Sequence, residues 1–376
     1  MRDSCLSQKL PHCSRRDFLR LTASSAGALA LASYPLLAAA HSPASTSANV
    51  SLQNRMSEQG GVTIPIIDLH CDTILELYEK PQSGSLKQNS LSVDIAKLQA
   101  APSLAQFFAV FIDKKEPGDV LERALAMIDL FHCQLAENYD TIRLARNWQE
   151  VEQNHQQGCI SAFLTIEEGA VIKGQLSHLR NLHRLGVRLM TLTWNYPNEL
   201  GFPNSQPEYR SQGLTEQGQA VVAEMNKLGM MIDVSHLSDQ GFYDVASCSQ
   251  KPFVASHSNA RALTAHSRNL TDDMIRKLAD KGGVTGLNFA RQFLGTSPIS
   301  LIDDMVAHCQ YIVNTGGEDV LALGSDFDGI DPELEIRHSG ELGRLVAALQ
   351  TAGFSSSQVE KFAWRNAARV IRDILD

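Results

Sequence analysis

The chain has 376 residues, of which 43% are apolar and 20% are charged, and it carries a formal net charge of −9. This length suits one large domain or two ordinary ones, and the composition is typical of a folded globular protein. The acidic balance, with no cluster of lysines and arginines among aromatic residues, argues against a nucleic-acid-binding protein. The seven cysteines form no Cys-x-x-Cys pair, so neither a zinc ribbon nor a disulfide framework is indicated.

The first 40 residues have the pattern of a twin-arginine export signal. Arg15 and Arg16 precede an apolar stretch of small residues, from about residue 21 to 37, and Ala38-Ala39-Ala40 offers a cleavage site. The alternative is a membrane anchor, but the stretch falls short of the roughly 20 strongly apolar residues that a spanning helix needs. We therefore predict that residues 1–40 are cleaved and that residues 41–61 form a flexible tether. The mature protein is expected in the periplasm or secreted, without stable membrane insertion.

From Ile64 onward, short apolar runs alternate with amphipathic helical stretches. The runs are Ile64–His70, Gln106–Ile112, Ile160–Glu167, Arg188–Trp194, Met230–His236, Phe253–His257, Gly282–Phe289 and Leu321–Phe327. Eight such alternations predict a (β/α)₈ TIM barrel, occupying residues 62–376 as one domain. The alternative is a doubly wound open sheet, whose commonest cofactor motif, Gly-x-Gly-x-x-Gly, does not follow an early strand here.

Five of the eight runs end in side chains that can bind a metal ion. These are His70 and Asp72, Glu167 or Glu168, His236, His257, and Asp326. In a barrel of this kind, the C-terminal ends of all strands meet at one mouth, where the chemistry takes place. Imidazoles and carboxylates brought together at one mouth predict a metal centre.

This set of side chains fits two metal ions better than one. A catalytic zinc ion keeps three protein ligands and an open position. If Glu167 bridges with its two oxygens, the other four ligands complete two such shells around a shared hydroxide. Glu168 competes for the bridging role, but neighbouring residues in a strand face opposite sides, so only one of the two can reach. Asp326 would then act as a proton shuttle beside the hydroxide.

In the order in which they occur, these motifs resemble those of the membrane dipeptidase (renal dipeptidase) family of zinc-dependent amidohydrolase-like barrels. The motifs are His70-Cys71-Asp72-Thr73, Ile166-Glu167-Glu168-Gly169, Asp233-Val234-Ser235-His236, Ser256-His257-Ser258-Asn259-Ala260, Ser267-Arg268-Asn269-Leu270-Thr271-Asp272-Asp273 and Gly324-Ser325-Asp326-Phe327-Asp328-Gly329. The resemblance covers the chain from about residue 64 to its end. It implies a barrel of the metallo-dependent hydrolase type, forming a single catalytic domain over residues 62–376, with two Zn²⁺ ions per chain and the hydrolysis of dipeptides as its activity.

The resemblance also implies the role of each site residue. His70 and Asp72 would bind one zinc ion, His236 and His257 the other, and Glu167 would bridge them. Asp326 matches the acidic proton shuttle, and Arg268 matches the arginine that holds the free carboxylate of the substrate. The guanidinium group of Arg268 suits a carboxylate because it can donate two parallel hydrogen bonds. Its alternative role is an ordinary salt bridge to Asp272 or Asp273.

The sequence departs from the family pattern at two positions. Many members read Glu-Gly-Gly after the third strand, where this chain has Glu168 in place of the first glycine. Many members also have a histidine that contacts the scissile carbonyl at the position of Trp194. Tryptophan can only donate a hydrogen bond, through its ring N–H. Trp194 is therefore expected either to donate to that carbonyl or to line the substrate pocket.

The sequence thus predicts a metallodipeptidase that uses a hydroxide bridging two zinc ions to cleave dipeptides with a free C-terminal carboxylate. Its partners are small peptides, and a homodimer is compatible with the sequence. A second hypothesis is another amidohydrolase activity on the same site, such as the hydrolysis of a lactam, a lactone or an acyl-amino acid, or a deamination, because a fold does not fix a function. A third is a binding protein with an inactive site, although none of the five ligands is missing.

Overall fold

Eight parallel strands form a closed barrel in the computed structural model of the chain, which describes residues 64–376. The described residues contain nine strands in all, which are β1 (Ile66–Asp68), β2 (Ser103–Phe111), β3 (Ile142–Leu144), β4 (Ile160–Glu167), β5 (Val187–Thr191), β6 (Met231–Asp233), β7 (Val254–Ala255), β8 (Val284–Leu287) and β9 (Leu321–Leu323). Around the barrel the order is β1-β2-β4-β5-β6-β7-β8-β9, and β9 pairs again with β1. The predicted (β/α)₈ barrel is confirmed.

Helices connect the strands and cover the outside of the barrel. They are α1 (Thr73–Glu79), α2 (Ile95–Ala100), α3 (Val120–Glu137), α4 (Trp148–Gln156), α5 (Leu176–Arg184), α6 (Glu216–Leu228), α7 (Asp239–Cys248), α8 (Asp272–Asp280), α9 (Arg291–Leu294), α10 (Ile302–Gly316), α11 (Gly343–Thr351), α12 (Ser356–Glu360) and α13 (Asn366–Leu375). Several begin at a side chain that accepts a backbone N–H, such as Asp119 before α3 and Thr271 before α8. Such caps satisfy the free donors of the first helical turn.

The strand β3 was not among the eight predicted runs and is not a member of the closed barrel. It pairs with the first residues of β4, whereas β5 pairs with the last residues of β4. β2 pairs directly with β4 on the other side and closes the barrel there. The chain therefore has nine strands in the described residues, of which β3 is a short addition at the N-terminal end of β4.

Most of the strands end earlier than the apolar runs predict. β1 ends at Asp68, β6 at Asp233 and β7 at Ala255, so His70, His236 and His257 lie in the segments just beyond the paired residues. β4 is the exception, because its prediction and its observed range are the same, and all eight of its residues are buried. Strands covered on both faces read as continuous apolar runs, but residues just beyond the paired segments, such as Leu69 and Val234, are buried as well, so most runs extend past the strand ends.

The described residues all belong to one compact unit. Within residues 64–376, no helix combines the length and the apolar character needed to cross a membrane. The predicted export signal and the whole of the predicted tether lie outside the described residues.

Candidate metal centre

Six buried acidic and imidazole side chains converge at the C-terminal mouth of the barrel. His70 and Asp72 follow β1, Glu167 is the last residue of β4, and His236, His257 and Asp326 follow β6, β7 and β9. Each is at most 8% exposed. Alternate residues of β4 point into the barrel, and Glu167 is the last of these, so its carboxylate lies at the mouth. The structure thus brings together all six residues that the sequence selected.

Glu167 lies between two groups of imidazoles and directs one oxygen toward each. Its Oε2 atom is 3.1 Å from Nε2 of His70. Its Oε1 atom is 2.9 Å from Nε2 of His236 and 3.7 Å from Nε2 of His257. Asp72 belongs to the first group, with Oδ2 3.3 Å from Nε2 of His70. The Glu167 carboxylate therefore faces two separate sets of potential metal-ligand atoms.

The side-chain atoms at this mouth fit a metal centre both in their chemistry and in their lack of well-formed hydrogen bonds. Both ring nitrogens of His70 and the Oδ1 atom of Asp72 are buried and make no hydrogen bond of normal geometry among residues 64–376, although the oxygens of Glu167 and Asp72 lie 3.1 and 3.3 Å from Nε2 of His70. Buried polar atoms normally have partners, so such orphans point to a missing ion. His70 belongs to two groups of potential ligand atoms, one with Glu167 and His257 and one with Asp72 and Asp326. Buried imidazoles and carboxylates of this kind suit zinc.

The charges at the site also favour a bound cation. Burial would lower the pKa of His70, but the negative charges of Glu167 and Asp72 outweigh it and raise this pKa well above its ordinary value. The carboxylates thus attract a positive charge to this position. Burial instead lowers the pKa of His236 to about 4 and holds the pKa of His257 well below its ordinary value. Both imidazoles are therefore neutral at pH 7, as a metal ligand must be.

Glu168 faces away from the site, which resolves its competition with Glu167. Its carboxylate accepts hydrogen bonds from the backbone N–H of Ala170 at 2.9 Å, from the backbone N–H of Trp194 at 3.2 Å and from the side-chain amide of Asn198. Its φ angle is 104°, a region that favours glycine and costs another residue roughly 1–3 kcal/mol. This conformation explains why a glycine suits the position in the family pattern.

Two of the imidazoles are held in place through their second ring nitrogen. Nδ1 of His257 is 2.7 Å from Oγ of Ser256, which donates to Oδ2 of Asp233 at 2.6 Å. Nδ1 of His236 is 3.3 Å from Oδ1 of Asn195. If Nε2 carries the free lone pair, the proton is on Nδ1, and the partner at Nδ1 fixes the ring orientation. The chain from Asp233 through Ser256 therefore orients the Nε2 atom of His257 toward the centre.

Asp326 lies beside the two groups of ligands and has a partner of its own. Its Oδ1 atom is 3.7 Å from Nε2 of His70, and its Oδ2 atom accepts a hydrogen bond from the side-chain amide of Asn288 at 2.8 Å. Burial raises the pKa of Asp326 to about 7, against the opposing charge of His70. A carboxyl group with this pKa can both accept and return a proton near neutral pH.

Arg268 is buried at the edge of the same cavity and does not pair with Asp272 or Asp273. Its guanidinium group donates to the backbone carbonyls of Ser235 and His257, the latter at 3.3 Å. The carboxylate of Asp272 instead accepts from Tyr311. The alternative role of Arg268 as an ordinary salt bridge is therefore wrong.

A second arginine holds the loop that carries Arg268. The guanidinium group of Arg261 donates to the backbone carbonyls of Asn269 at 2.7 Å and Ser267 at 3.0 Å, one on each side of Arg268. The carboxylate of Asp239 accepts two hydrogen bonds from Arg261, at 2.8 and 2.7 Å. Asp239 and Arg261 therefore fix this loop from outside the cavity.

A cavity of about 620 Å³ opens above the candidate ligands. Arg268 and Phe293 line it on one side, and Phe111 and Trp194 line it on another. The ring of Trp194 packs edge-on against Phe111, with centroids 4.7 Å apart, and lies 6.3 Å from the ring of His236. Trp194 is thus part of the cavity wall, as one of the two expectations for it required.

The sequence analysis did not identify Asn288, Arg261 or Asp239. Asn288 lies near the C-terminal end of the predicted run Gly282–Phe289, so the rule that selected the metal ligands could have found it. Arg261 lies in a loop, and Asp239 is the first residue of α7, a helix that was not among the predicted elements. Only their contacts in the folded protein distinguish them from solvent-exposed charges.

Comparisons with known proteins identify the family of this chain. A model of the membrane dipeptidase family, peptidase family M19, matches residues 59–376. Dipeptidase aclJ of Aspergillus oryzae is 32% identical over 336 residues, which are 84% of this chain and 80% of that protein. An uncharacterised protein of Klebsiella pneumoniae, encoded in the pqqA 5′ region, is 33% identical over 271 residues, 69% of this chain and 98% of that protein.

Two solved structures share the fold over most of their length. One is the crystal structure of the dipeptidase AC, a metallopeptidase of family M19, with a TM-score of 0.77, 29% identity and coverage of 83% of this chain and 99% of that one. The other is a metallopeptidase from Rhodobacter sphaeroides liganded with a phosphinate mimic of the dipeptide L-Ala-D-Ala, with a TM-score of 0.77, 28% identity and the same coverage. The chain therefore belongs to the membrane dipeptidase family, peptidase family M19.

Proposed function

We propose that this protein hydrolyses dipeptides with a free C-terminal carboxylate, at two zinc ions that share Glu167, through a hydroxide that bridges them. One observation carries the proposal: the two oxygens of Glu167 face different imidazoles, Oε2 toward His70 and Oε1 toward His236. His70 and Asp72 would hold one ion, and His236 and His257 the other. Zinc supplies a nucleophile at neutral pH by lowering the pKa of bound water, and it polarises the scissile carbonyl.

Asp326 is the residue that would move the proton in this reaction. It would take a proton at its carboxylate during the attack and return it to the leaving amine. Its position supports both steps, because its buried carboxylate lies beside the two groups of ligands, with Oδ1 3.7 Å from Nε2 of His70. The hydrogen bond from Asn288 would keep the carboxylate aimed at the scissile bond.

Arg268 would recognise the substrate carboxylate. A guanidinium group has five N–H donors. In Arg268, three hydrogen bonds go to the backbone carbonyls of Ser235 and His257 and to the hydroxyl group of Ser258. Since Arg268 also lines the cavity, its remaining donors would bind the one anion that every dipeptide carries. A buried guanidinium binds such an anion more strongly than an exposed one, because water competes less.

We further propose that the mature protein works in the periplasm after twin-arginine export, on the basis of Arg15, Arg16 and the Ala38-Ala39-Ala40 site. Expression of the full chain in a bacterium with this export route, followed by N-terminal sequencing of the periplasmic form, tests this. The expected mature chain starts near residue 41. A full-length protein held in the membrane fraction would contradict cleavage, and cytoplasmic retention would contradict export.

The catalytic proposal is tested with metal analysis and a substrate panel. The purified protein should contain about two zinc ions per chain. It should cleave free dipeptides but neither dipeptide amides nor N-acyl-amino acids, and the panel should include L,D-dipeptides because the Rhodobacter sphaeroides relative binds a mimic of one. Full activity with one metal ion per chain would overturn the bridging role of Glu167. Hydrolysis of lactams, lactones or acyl-amino acids in place of dipeptides would instead support another amidohydrolase reaction.

A further inference from the structure

The two positions at which the chain departs from its family pattern are in contact with each other. Oε2 of Glu168 accepts the backbone N–H of Trp194 at 3.2 Å, although 26 residues separate them. The same carboxylate binds the side-chain amide of Asn198, which also donates to the carbonyl of Leu192 at 2.8 Å. Glu168 therefore holds the loop after β5 at Trp194 and at Asn198.

The loop after β5 packs so closely against the end of β4 that no side chain fits at position 169. A Cβ atom on Gly169 would lie 2.4 Å from the carbonyl oxygen of Leu192 and 2.6 Å from a methyl group of Leu200. Glu168 is fully buried here and holds φ at 104°. A residue stays in such a conformation only when its surroundings impose it. The three hydrogen bonds that its carboxylate accepts are the contacts that impose it.

The wall that Glu168 supports lies across the mouth from Arg268. Phe111 ends β2, and Arg268 follows β7. Around the barrel, three strands separate β2 from β7 in either direction, so Phe111 stands opposite the strand that precedes Arg268. Trp194 follows β5, which one strand separates from β7, and it therefore lies on the part of the mouth between the two. Trp194 packs against Phe111 at 4.7 Å and extends the aromatic wall with Tyr196, 5.7 Å away. A dipeptide whose carboxylate lies at Arg268 therefore has its N-terminal residue nearer this wall.

We propose that Trp194 and Phe111 select dipeptides with a large apolar side chain on the N-terminal residue, and that Glu168 is the residue that positions Trp194 for this selection. The inference rests on the proposed dipeptidase function. An aromatic wall binds an apolar side chain by excluding water from both surfaces. Each additional methylene of a well-fitted side chain changes kcat/KM by about tenfold or more.

The first experiment compares two substrate series on the zinc-loaded full chain. For the wild type, kcat/KM should be at least about tenfold higher for Leu-Ala than for Gly-Ala. Trp194→Ala should reduce that ratio to about threefold or less, while the ratio of Ala-Leu to Ala-Gly should change by less than about threefold, because the C-terminal residue lies on the side of Arg268. A wild type without the first preference, or a Trp194→Ala variant that alters both ratios equally, would overturn the selection.

The second experiment tests Glu168 with a readout that does not depend on activity. Trp148 and Trp364 are 3% and 4% exposed, so acrylamide quenching of the protein's fluorescence reports chiefly on Trp194. Glu168→Gly keeps a residue suited to the positive φ but removes the carboxylate, and it should increase quenching and lower the Leu-Ala preference. Glu168→Gln, which retains a side-chain oxygen acceptor, should lie between that variant and the wild type. Trp194→Phe gives the quenching of the other two tryptophans.

The outcomes separate this inference from the proposed function. Wild-type protein that cleaves no dipeptide would overturn the dipeptidase function, and quenching would still decide whether Glu168 positions Trp194. Dipeptide hydrolysis with unchanged quenching and unchanged preference in both Glu168 variants would overturn the positioning role alone. If Glu168→Gly does not fold, Glu168→Gln decides the same point.

Discussion

The side-chain amide of Asn288 donates a hydrogen bond of 2.8 Å to Oδ2 of Asp326. The same nitrogen lies 3.2 Å from the backbone carbonyl of His257, and the amide oxygen of Asn288 accepts the N–H of Ala290 at 2.6 Å. All of these residues are buried. One amide therefore connects the proposed proton shuttle to the backbone of a proposed metal ligand, and the orientation of the Asp326 carboxyl is set by a neutral donor.

Asp326→Asn should affect the chemical step more than binding. Loss of a general acid–base group lowers kcat by about 10²–10⁴-fold, with a small change in KM. Steady-state kinetics with a free dipeptide, together with metal analysis of the same preparation, measures both quantities. A loss of zinc that parallels the loss of activity would show that Asp326 is a metal ligand and not a shuttle.

Substitution of Arg268 should weaken recognition of the substrate carboxylate. Loss of a charge-assisted hydrogen bond costs roughly 1.5–3 kcal/mol, so Arg268→Ala should lower kcat/KM by about 10- to 150-fold. Arg268→Lys should recover only part of this, because an ammonium group cannot donate two parallel hydrogen bonds from a planar fork. The control is a matched dipeptide amide, which the wild type should reject. Equal cleavage of the amide and the free acid would eliminate carboxylate recognition as the basis of specificity.

Ser256→Ala should weaken zinc binding at His257. The substitution removes the hydroxyl between Asp233 and Nδ1 of His257, and loss of such a partner typically lowers metal affinity by about 10- to 100-fold. Competition with a chromophoric chelator should show one weakened zinc ion of the two. Ser161→Ala is the matched control, since Ser161 is a buried serine of β4 that accepts a hydrogen bond from Asn154, away from the mouth. Equal weakening in both variants would show a general effect on stability.

Asp239→Asn should loosen the loop that carries Arg268 and raise KM by several-fold, because it weakens the hold on Arg261. Burial alone would raise the pKa of Asp239, but Arg261 and Arg210 outweigh it and hold this pKa below its ordinary value. A lowered pKa gives stability that is complete above the unfolded-state value of about 3.9 and is lost as the pH falls through the folded-state value. The difference in Tm between wild type and variant should therefore stay constant from neutral pH down to about pH 4 and decline only at lower pH, as Asp239 takes up a proton in the folded state. A difference that begins to decline well above pH 4 would exclude the charge of Asp239 as its cause.

The sequence by itself determined the barrel and the chemical nature of its mouth. Strands that are buried on both faces must be continuous apolar runs, so all eight barrel strands were visible, and β4 was located to the residue. Because parallel strands present their C-terminal ends at one side, the polar residues that follow these runs had to meet. His70, Glu167 and His257 could therefore be placed together without knowing any contact between them.

Only the tertiary structure decided which side chains face one another. Glu168 turns away from the site because Trp194 and Asn198, which are distant in the sequence, donate hydrogen bonds to its carboxylate. The role of Asn288 and the omission of β3 from the barrel likewise depend on strand registers. An apolar run indicates which residues of a strand are buried, and this run can be recognised within the sequence of that one strand. The register and the loop contacts depend on pairs of remote segments, and no local pattern encodes them.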